Sequence, residues 1–92
     1  MINSDRSSDI FVGDSEMAML MRSLNWSQTQ LGSVETWPQS LRSVLSICLN
    51  SRFPIAIYWG QDCLLLYNDA WRPIVGDKHP WALGRPGCEV WV

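Results

Sequence analysis

The chain has 92 residues, of which 47% are hydrophobic and 17% charged, and its formal net charge is −2. This length allows one small domain and excludes a complete kinase, dehydrogenase or hydrolase. The composition is typical of a globular protein and excludes a disordered or coiled-coil one. Because the chain carries no basic cluster, we expect no nucleic-acid partner. Six tryptophans supply large, rigid side chains that favour burial.

Residues 1–13 are predicted to form a mobile N-terminal tail, in which the apolar residues Ile10, Phe11 and Val12 are able to dock. The tail is polar and charged, so no signal peptide is expected. The longest apolar run, Leu64 to Leu66, is too short to span a bilayer. We therefore expect a cytoplasmic protein with no membrane span.

Residues 14–53 are predicted to form a helical lead-in of two helices. The first helix is predicted over 15–24, with Ser15 as its N-cap. Its apolar residues recur at helical spacing and form one stripe: Met17, Leu20, Met21 and Leu24. A connection without periodicity follows, over 25–36, and its anchors are expected to be Trp26 and Leu31.

The second helix is predicted over 37–49. Thr36 and Gln39 have the spacing of a capping box, with Pro38 in the first turn. A second apolar stripe follows: Leu41, Val44, Leu45 and Cys48. Asn50 is predicted to end this helix in a left-handed conformation.

A β-hairpin is predicted next, with strands over 54–59 and 63–67 and a short loop over 60–62. Both faces of this hairpin are apolar, so each face requires cover. Asn68 is predicted to cap a short helix that runs from Asp69 to Val75, and loss of this cap is expected to cost ~1 kcal/mol. Further helical turns are expected near Trp81 and Glu89. The order of elements predicts an α+β fold with an incomplete antiparallel sheet.

No catalytic or metal site is predicted. The three cysteines, Cys48, Cys63 and Cys88, have spacings that fit neither a metal knuckle nor a disulfide framework, so we expect free thiols. His79, the single histidine, precedes Pro80 in a loop and is expected to be structural. The phosphate-binding, zinc and nucleophile motifs are lacking from the sequence, and no cofactor is evident. We do not expect this chain to be an enzyme.

Several sequence blocks occur in a characteristic order. They are WS-x-T-x-LG at 26–32, WPQSLR at 37–42, NSRFP at 50–54, YWG at 58–60, LYNDA-x-RP-x-x-GDKHP-x-ALG at 66–84 and EVW at 89–91. Over about residues 14–92 the chain resembles the N-terminal PAS sensor domain of bacterial hybrid sensor histidine kinases, proteins of two-component signal transduction.

This resemblance implies a five-stranded antiparallel sheet with short helices over one face. Residues 54–92 correspond to the N-terminal half of such a domain and supply its first two strands. The long connecting helix and the last three strands, which follow the EVW block in similar proteins, are missing from the 92 residues. The resemblance also implies a cavity for an unknown small ligand. Its candidate lining is Tyr58, Leu66, Tyr67, Trp71, Ile74 and Trp81, although an aromatic set at these spacings is also typical of an ordinary core.

Two functional hypotheses follow. In the first, the chain is a non-catalytic sensing module, the N-terminal part of a PAS sensor of a histidine kinase. In the second, it is a self-standing interaction protein that acts through its open sheet edge and its helices. The expected partner is a second copy of the chain or a protein that contains a PAS or kinase domain.

Overall fold

The computed structural model describes Phe11 and residues 13–91, and it has an α+β fold with a small two-stranded antiparallel sheet. Residues 1–10, 12 and 92 lie outside the description, so the predicted mobility of the tail and the docking of Ile10 and Val12 are not addressed by it. In chain order, the helices and strands are α1 (Glu16–Ser23), α2 (Gln39–Asn50), β1 (Ala56–Trp59), β2 (Leu64–Tyr67), α3 (Arg72–Val75) and α4 (Gly87–Val90). Four 3-10 turns lie at Trp26–Gln28, Val34–Thr36, Asp69–Trp71 and Gly76–Lys78.

Helix α1 begins where the sequence predicts. The Ser15 hydroxyl accepts a hydrogen bond from Ala18 N at 3.1 Å, which is the expected N-cap. Met17, Ala18 and Met21 are fully buried, so one face of α1 belongs to the core. The helix ends at Ser23 because Leu24 adopts an extended backbone, and the Leu24 side chain is partly exposed.

Helix α2 starts two residues later than predicted, and the predicted capping box is wrong. Thr36 belongs to a separate 3-10 turn, where its hydroxyl donates to Ser33 O at 2.6 Å. It is therefore not available to the first turn of α2. Pro38 occupies the N-cap position and makes no side-chain cap, while the Gln39 amide donates to Ser43 Oγ.

The C-terminus of α2 also differs from the prediction. Asn50 is the last helical residue and donates its side-chain amide to Ser46 O at 2.9 Å. The chain then leaves the helix directly into an extended segment at Ser51 (ψ 144°), so a left-handed residue is not required. Helix α2 packs on both strands of the hairpin. Its buried face is Leu41, Leu45, Cys48 and Leu49.

Phe11, Trp26 and Trp37 form an aromatic cluster in the core. The two indole rings meet edge to face with centroids 5.2 Å apart, and the Phe11 ring lies 6.2 Å from Trp26 and 5.8 Å from Trp37. Each indole N–H has a partner, because Trp26 donates to Met21 O and Trp37 donates to Gly32 O. This cluster joins Phe11 to the connection between α1 and α2.

The hairpin pairs β1 and β2 in antiparallel register, with Ala56 opposite Tyr67 and Trp59 opposite Leu64. Both strands are shorter than predicted. Strand β1 begins two residues later, at Ala56, and β2 begins one residue later, at Leu64. The loop between them needs two left-handed residues, Gly60 (φ 78°) and Cys63 (φ 51°), so Cys63 belongs to the turn and not to the strand.

The chain's own residues 84–87 lie along the outer edge of β2. Leu65 N donates to Arg85 O at 2.9 Å, Gly84 N donates to Leu65 O at 2.7 Å, and Gly87 N donates to Cys63 O at 2.9 Å. Gly84 has a left-handed backbone (φ 81°) that lets the chain turn onto this edge. With this cover, all four residues of β2 are buried.

The predicted helix from Asp69 to Val75 is split into a 3-10 turn, Asp69–Trp71, and a single α-helical turn, α3. Pro73 lies in the first turn of α3, where its missing N–H breaks no hydrogen bond, and Gly76 (φ 60°) ends the turn. Residues 79–84 form hydrogen-bonded turns and no helix, so the helical turn expected near Trp81 is not found. The last helix, α4, begins at Gly87, two residues earlier than expected.

Candidate functional site

Asn68 joins three segments at the end of β2. Its side chain is 1% exposed, and its Oδ1 accepts hydrogen bonds from Trp71 N (3.1 Å) and Ile55 N (3.2 Å). Its Nδ2 donates to Cys48 O (2.9 Å) and Phe53 O (2.8 Å). Asn68 therefore caps the following 3-10 turn and also fixes the end of α2 and the approach to β1, which the sequence did not indicate.

Asp69 holds the lead-in helix against the hairpin. Its Oδ1 accepts a hydrogen bond from Met17 N at 2.8 Å, and its Oδ2 accepts one from Glu16 N at 3.3 Å. A carboxylate at this position satisfies free N–H groups in the first turn of α1 and favours its dipole. Arg72 forms an ion pair with Glu16 beside it. Sequence reasoning missed this role, because Asp69 and Met17 are 52 positions apart and no local signal joins them.

His79 and Tyr67 form a hydrogen-bonded pair under α3, with Tyr67 Oη and His79 Nδ1 2.6 Å apart. Burial raises the pKa of Tyr67 to about 12, against a smaller opposite effect of Arg72. Burial also lowers the pKa of His79, and Arg72 lowers it further, while Asp69 and Glu16 act in the opposite direction. The neutral imidazole is therefore favoured, and in the tautomer with its proton on Nε2 its Nδ1 accepts a hydrogen bond from the Tyr67 hydroxyl.

The structure brings together only part of the predicted cavity lining. Tyr67 and Trp71 pack with ring centroids 5.4 Å apart. Tyr58 is connected to them by Trp91, whose indole N–H donates a hydrogen bond to Tyr58 Oη at 2.8 Å. The rings of Trp71 and Trp91 meet edge to face at 6.1 Å. Trp91 is therefore a member of this aromatic group that was not predicted. Its block, EVW, was noted only as part of the resemblance.

The other three predicted lining residues lie elsewhere. Leu66 is fully buried, and strand alternation places its side chain on the face of the hairpin opposite Tyr67. Ile74 is more than half exposed. Trp81 is 46% exposed and lines a different cleft, of about 490 Å³, between α1 and residues 80–89. In that cleft the Arg85 guanidinium lies 4.6 Å from the centre of the Trp81 ring.

The outer edge of β1 differs from that of β2. Asn68 N donates to Ile55 O at 3.2 Å, so Ile55 and Asn68 form a hydrogen-bonded pair. In an antiparallel ladder every second pair is hydrogen-bonded, counting from this pair along β1 and β2. The odd-numbered residues of β1 thus direct their backbone groups at β2, and the even-numbered ones, Ala56 and Tyr58, direct theirs away. Among the residues that the structure describes, none forms a backbone hydrogen bond with these outward groups of Ala56 and Tyr58. Tyr58 is 47% exposed, and its hydroxyl accepts a hydrogen bond from the Trp91 indole.

The cysteines are free thiols, with Cys48 buried and both Cys63 and Cys88 exposed. Burial raises the pKa of Cys48 to about 11, so this thiol stays protonated. Within Phe11 and residues 13–91, the acidic, histidine and cysteine side chains form no cluster of three that is able to hold a metal ion. In the same part of the chain, no helix has both the length and the apolar character that a membrane span requires.

No protein-family profile, curated protein or solved structure matches this chain.

Proposed function

We propose that this chain is a non-catalytic signal-sensing and interaction module, the N-terminal part of a PAS sensor domain of a two-component histidine kinase. The observation that supports this best is the asymmetry of the hairpin. Residues 84–87 lie on the outer edge of β2, whereas the outer edge of β1 presents unpaired backbone groups within the described residues. An open edge is where further strands join a sheet. The resemblance expects three further strands.

The contacts of the titratable groups support a non-catalytic role. Asp69 caps α1, Arg72 pairs with Glu16, and His79 is hydrogen-bonded to Tyr67. The contacts of Asp69 and Arg72 also connect the lead-in helix α1 to the short helices that follow the hairpin. A sensing module requires such a physical link between its parts.

Incubation with labelled ATP and a magnesium salt tests the non-catalytic part of this proposal. We expect no acid-labile phosphoryl label on the chain. A stoichiometric label that is lost in the His79→Gln variant would contradict it. The sensor assignment is tested by the coding sequence that surrounds this segment, for which we expect further strands, a dimerisation helix with a phosphoacceptor histidine and an ATP-binding domain. An unrelated reading frame directly after Val92 would contradict the sensor assignment.

A second function, that of a self-standing interaction protein, is favoured by the pairing of residues 84–87 with β2. Through this pairing the chain covers one edge of its own hairpin and leaves the other for a partner. Addition of a strand to an exposed sheet edge is a common mode of protein recognition. In this case the partner binds along Ala56 and Tyr58.

A further inference from the structure

Apart from the short length of the strand, the outer edge of β1 lacks the protection that sheet edges usually carry. Natural edges are commonly protected by a charged residue, a proline or a bulge within the strand. The two residues of β1 whose backbone groups point outward, Ala56 and Tyr58, are neither charged nor proline. Residues 53–61 contain no charged side chain. The first charges on either side are the exposed residues Arg52 and Asp62.

We propose that this edge pairs with the same edge of a second copy of the chain, antiparallel, about a two-fold axis at Ile57. The inference rests on the interaction function and identifies its partner. The same surface then serves both copies, as a two-fold interface requires.

The backbone alternation limits the register to few choices. Outward hydrogen-bonding groups belong to even-numbered residues, so a symmetric antiparallel ladder must join even-numbered residues to each other. An axis at Ile57 places Ala56 opposite the partner's Tyr58 and Tyr58 opposite the partner's Ala56. Both pairs are able to exchange N–H to C=O hydrogen bonds. Pro54, which has no N–H, lies at the end of this ladder, where a proline is tolerated.

The charges of Arg52 and Asp62 favour the same antiparallel register. With the axis at Ile57, Arg52 of one copy lies toward the partner's Asp62, and the reciprocal pair forms at the other end of the ladder. A parallel arrangement would instead bring like charges together at both ends. Charge complementarity therefore favours a second copy in antiparallel orientation, because one chain supplies both signs at the two ends of one neutral strand.

The apolar side chains are compatible with this pairing. Ile55 comes opposite the partner's Trp59, and these two side chains are each only partly buried in one chain. On the other face the half-exposed Tyr58 ring lies beside the partner's Ala56, a residue small enough to admit it. Cross-strand contacts of aromatic and β-branched side chains stabilise a sheet.

A charge-swap series followed by sedimentation equilibrium tests the orientation and the register. We expect the unmodified chain to form a dimer at micromolar concentration. Arg52→Asp alone or Asp62→Arg alone raises the dimer dissociation constant roughly fivefold at low salt, because each places like charges at both ends. The double variant Arg52→Asp, Asp62→Arg restores the original value. If the dissociation constant of the double variant is as high as the higher of the two single-variant constants, the register is wrong.

A second pair of variants separates the strand edge from the helix surfaces. Tyr58→Lys places a charge on the edge, and we expect it to raise the dissociation constant about tenfold or more. Ile47→Lys places the same charge on the exposed face of α2, where Ile47 is 66% exposed, and is expected to leave the constant unchanged. The reverse result would assign the contact to the helices and overturn the proposal.

Two controls complete the design. Circular dichroism checks that each variant folds, and Ala56→Pro, which removes one outward N–H without affecting the β1–β2 ladder, replaces Tyr58→Lys if that variant unfolds. An unmodified chain that stays monomeric at several hundred micromolar overturns the inference. That result leaves the sensor assignment standing, because its tests are the coding sequence and the absence of phosphorylation.

Discussion

At the scale of single residues, Asn68 has more effect on the fold than a helix cap alone. Its side chain forms hydrogen bonds with five backbone groups, at the end of α2, in the segment before β1 and in the turn after β2. The cap was predictable because an asparagine directly after an apolar strand is a common start of a helical turn. The contacts with Cys48 and Phe53 were not predictable, because they depend on how α2 packs against the hairpin.

Asn68→Ala is therefore expected to lower the free energy of unfolding by about 2–3 kcal/mol, more than the ~1 kcal/mol of a lost cap. The added cost arises because Ile55 N loses its acceptor, and the carbonyls of Cys48 and Phe53 each lose a hydrogen bond from the buried Asn68 side chain. Denaturant unfolding measures the change, with Asn25→Ala as the control because Asn25 is exposed. A loss that matches the control would contradict this role.

His79 gives the stability of the fold a pH dependence. Its pKa is lowered in the folded chain, chiefly by burial and also by Arg72, so the folded state favours the neutral imidazole. The stability linked to this neutral form is present above about pH 6.5, the unfolded value, and is lost as the pH falls toward the lower folded pKa. Unfolding at pH 7.5 and at pH 5.5 should show this loss. In the His79→Gln variant, the loss of unfolding free energy between pH 7.5 and pH 5.5 should be smaller by the contribution of His79. A loss equal to that of the unmodified chain would contradict the role given to His79.

At the scale of secondary-structure elements, the attachment of α1 to the hairpin depends on Asp69. Periodicity predicted α1, and its apolar face predicted that the helix is packed against a core. The partner of its N-terminus was not predictable, because a carboxylate 52 positions away in the chain provides it. The same limit applies to α2, where the local Thr36 motif suggested a cap but the preceding 3-10 turn takes that hydroxyl.

Asp69→Ala is expected to lower the free energy of unfolding by about 1–2 kcal/mol and to speed amide exchange at Glu16 and Met17, whose N–H groups donate hydrogen bonds to the Asp69 carboxylate. Residue-resolved hydrogen exchange followed by NMR measures both effects. Asp77→Ala is the control, because Asp77 is exposed and lies outside this contact. Equal exchange at Glu16 and Met17 in the two variants would contradict the anchoring role.

At the scale of the whole molecule, the arrangement of the sheet edges could be predicted only in part. The hairpin and its two apolar faces followed from the alternation in residues 54–67, and so did the expectation of an open edge. Which edge is open was not predictable, since it depends on Gly84 turning the chain onto β2. The predicted cavity lining was divided for a different and local reason, the alternation of side chains along β2. Leu66 and Tyr67 are adjacent in sequence but face opposite sides of the strand.

The central claim is that the chain covers the outer edge of β2 and leaves that of β1 for a second copy. Residue-resolved amide exchange over a range of protein concentrations tests it most directly. We predict that Leu65 and Gly84 are protected at every concentration, and that Ala56 and Tyr58 exchange rapidly when the chain is dilute and become protected as it dimerises. If Ala56 and Tyr58 are already protected at concentrations where sedimentation finds only monomer, the edge is covered within one chain and the claim is wrong.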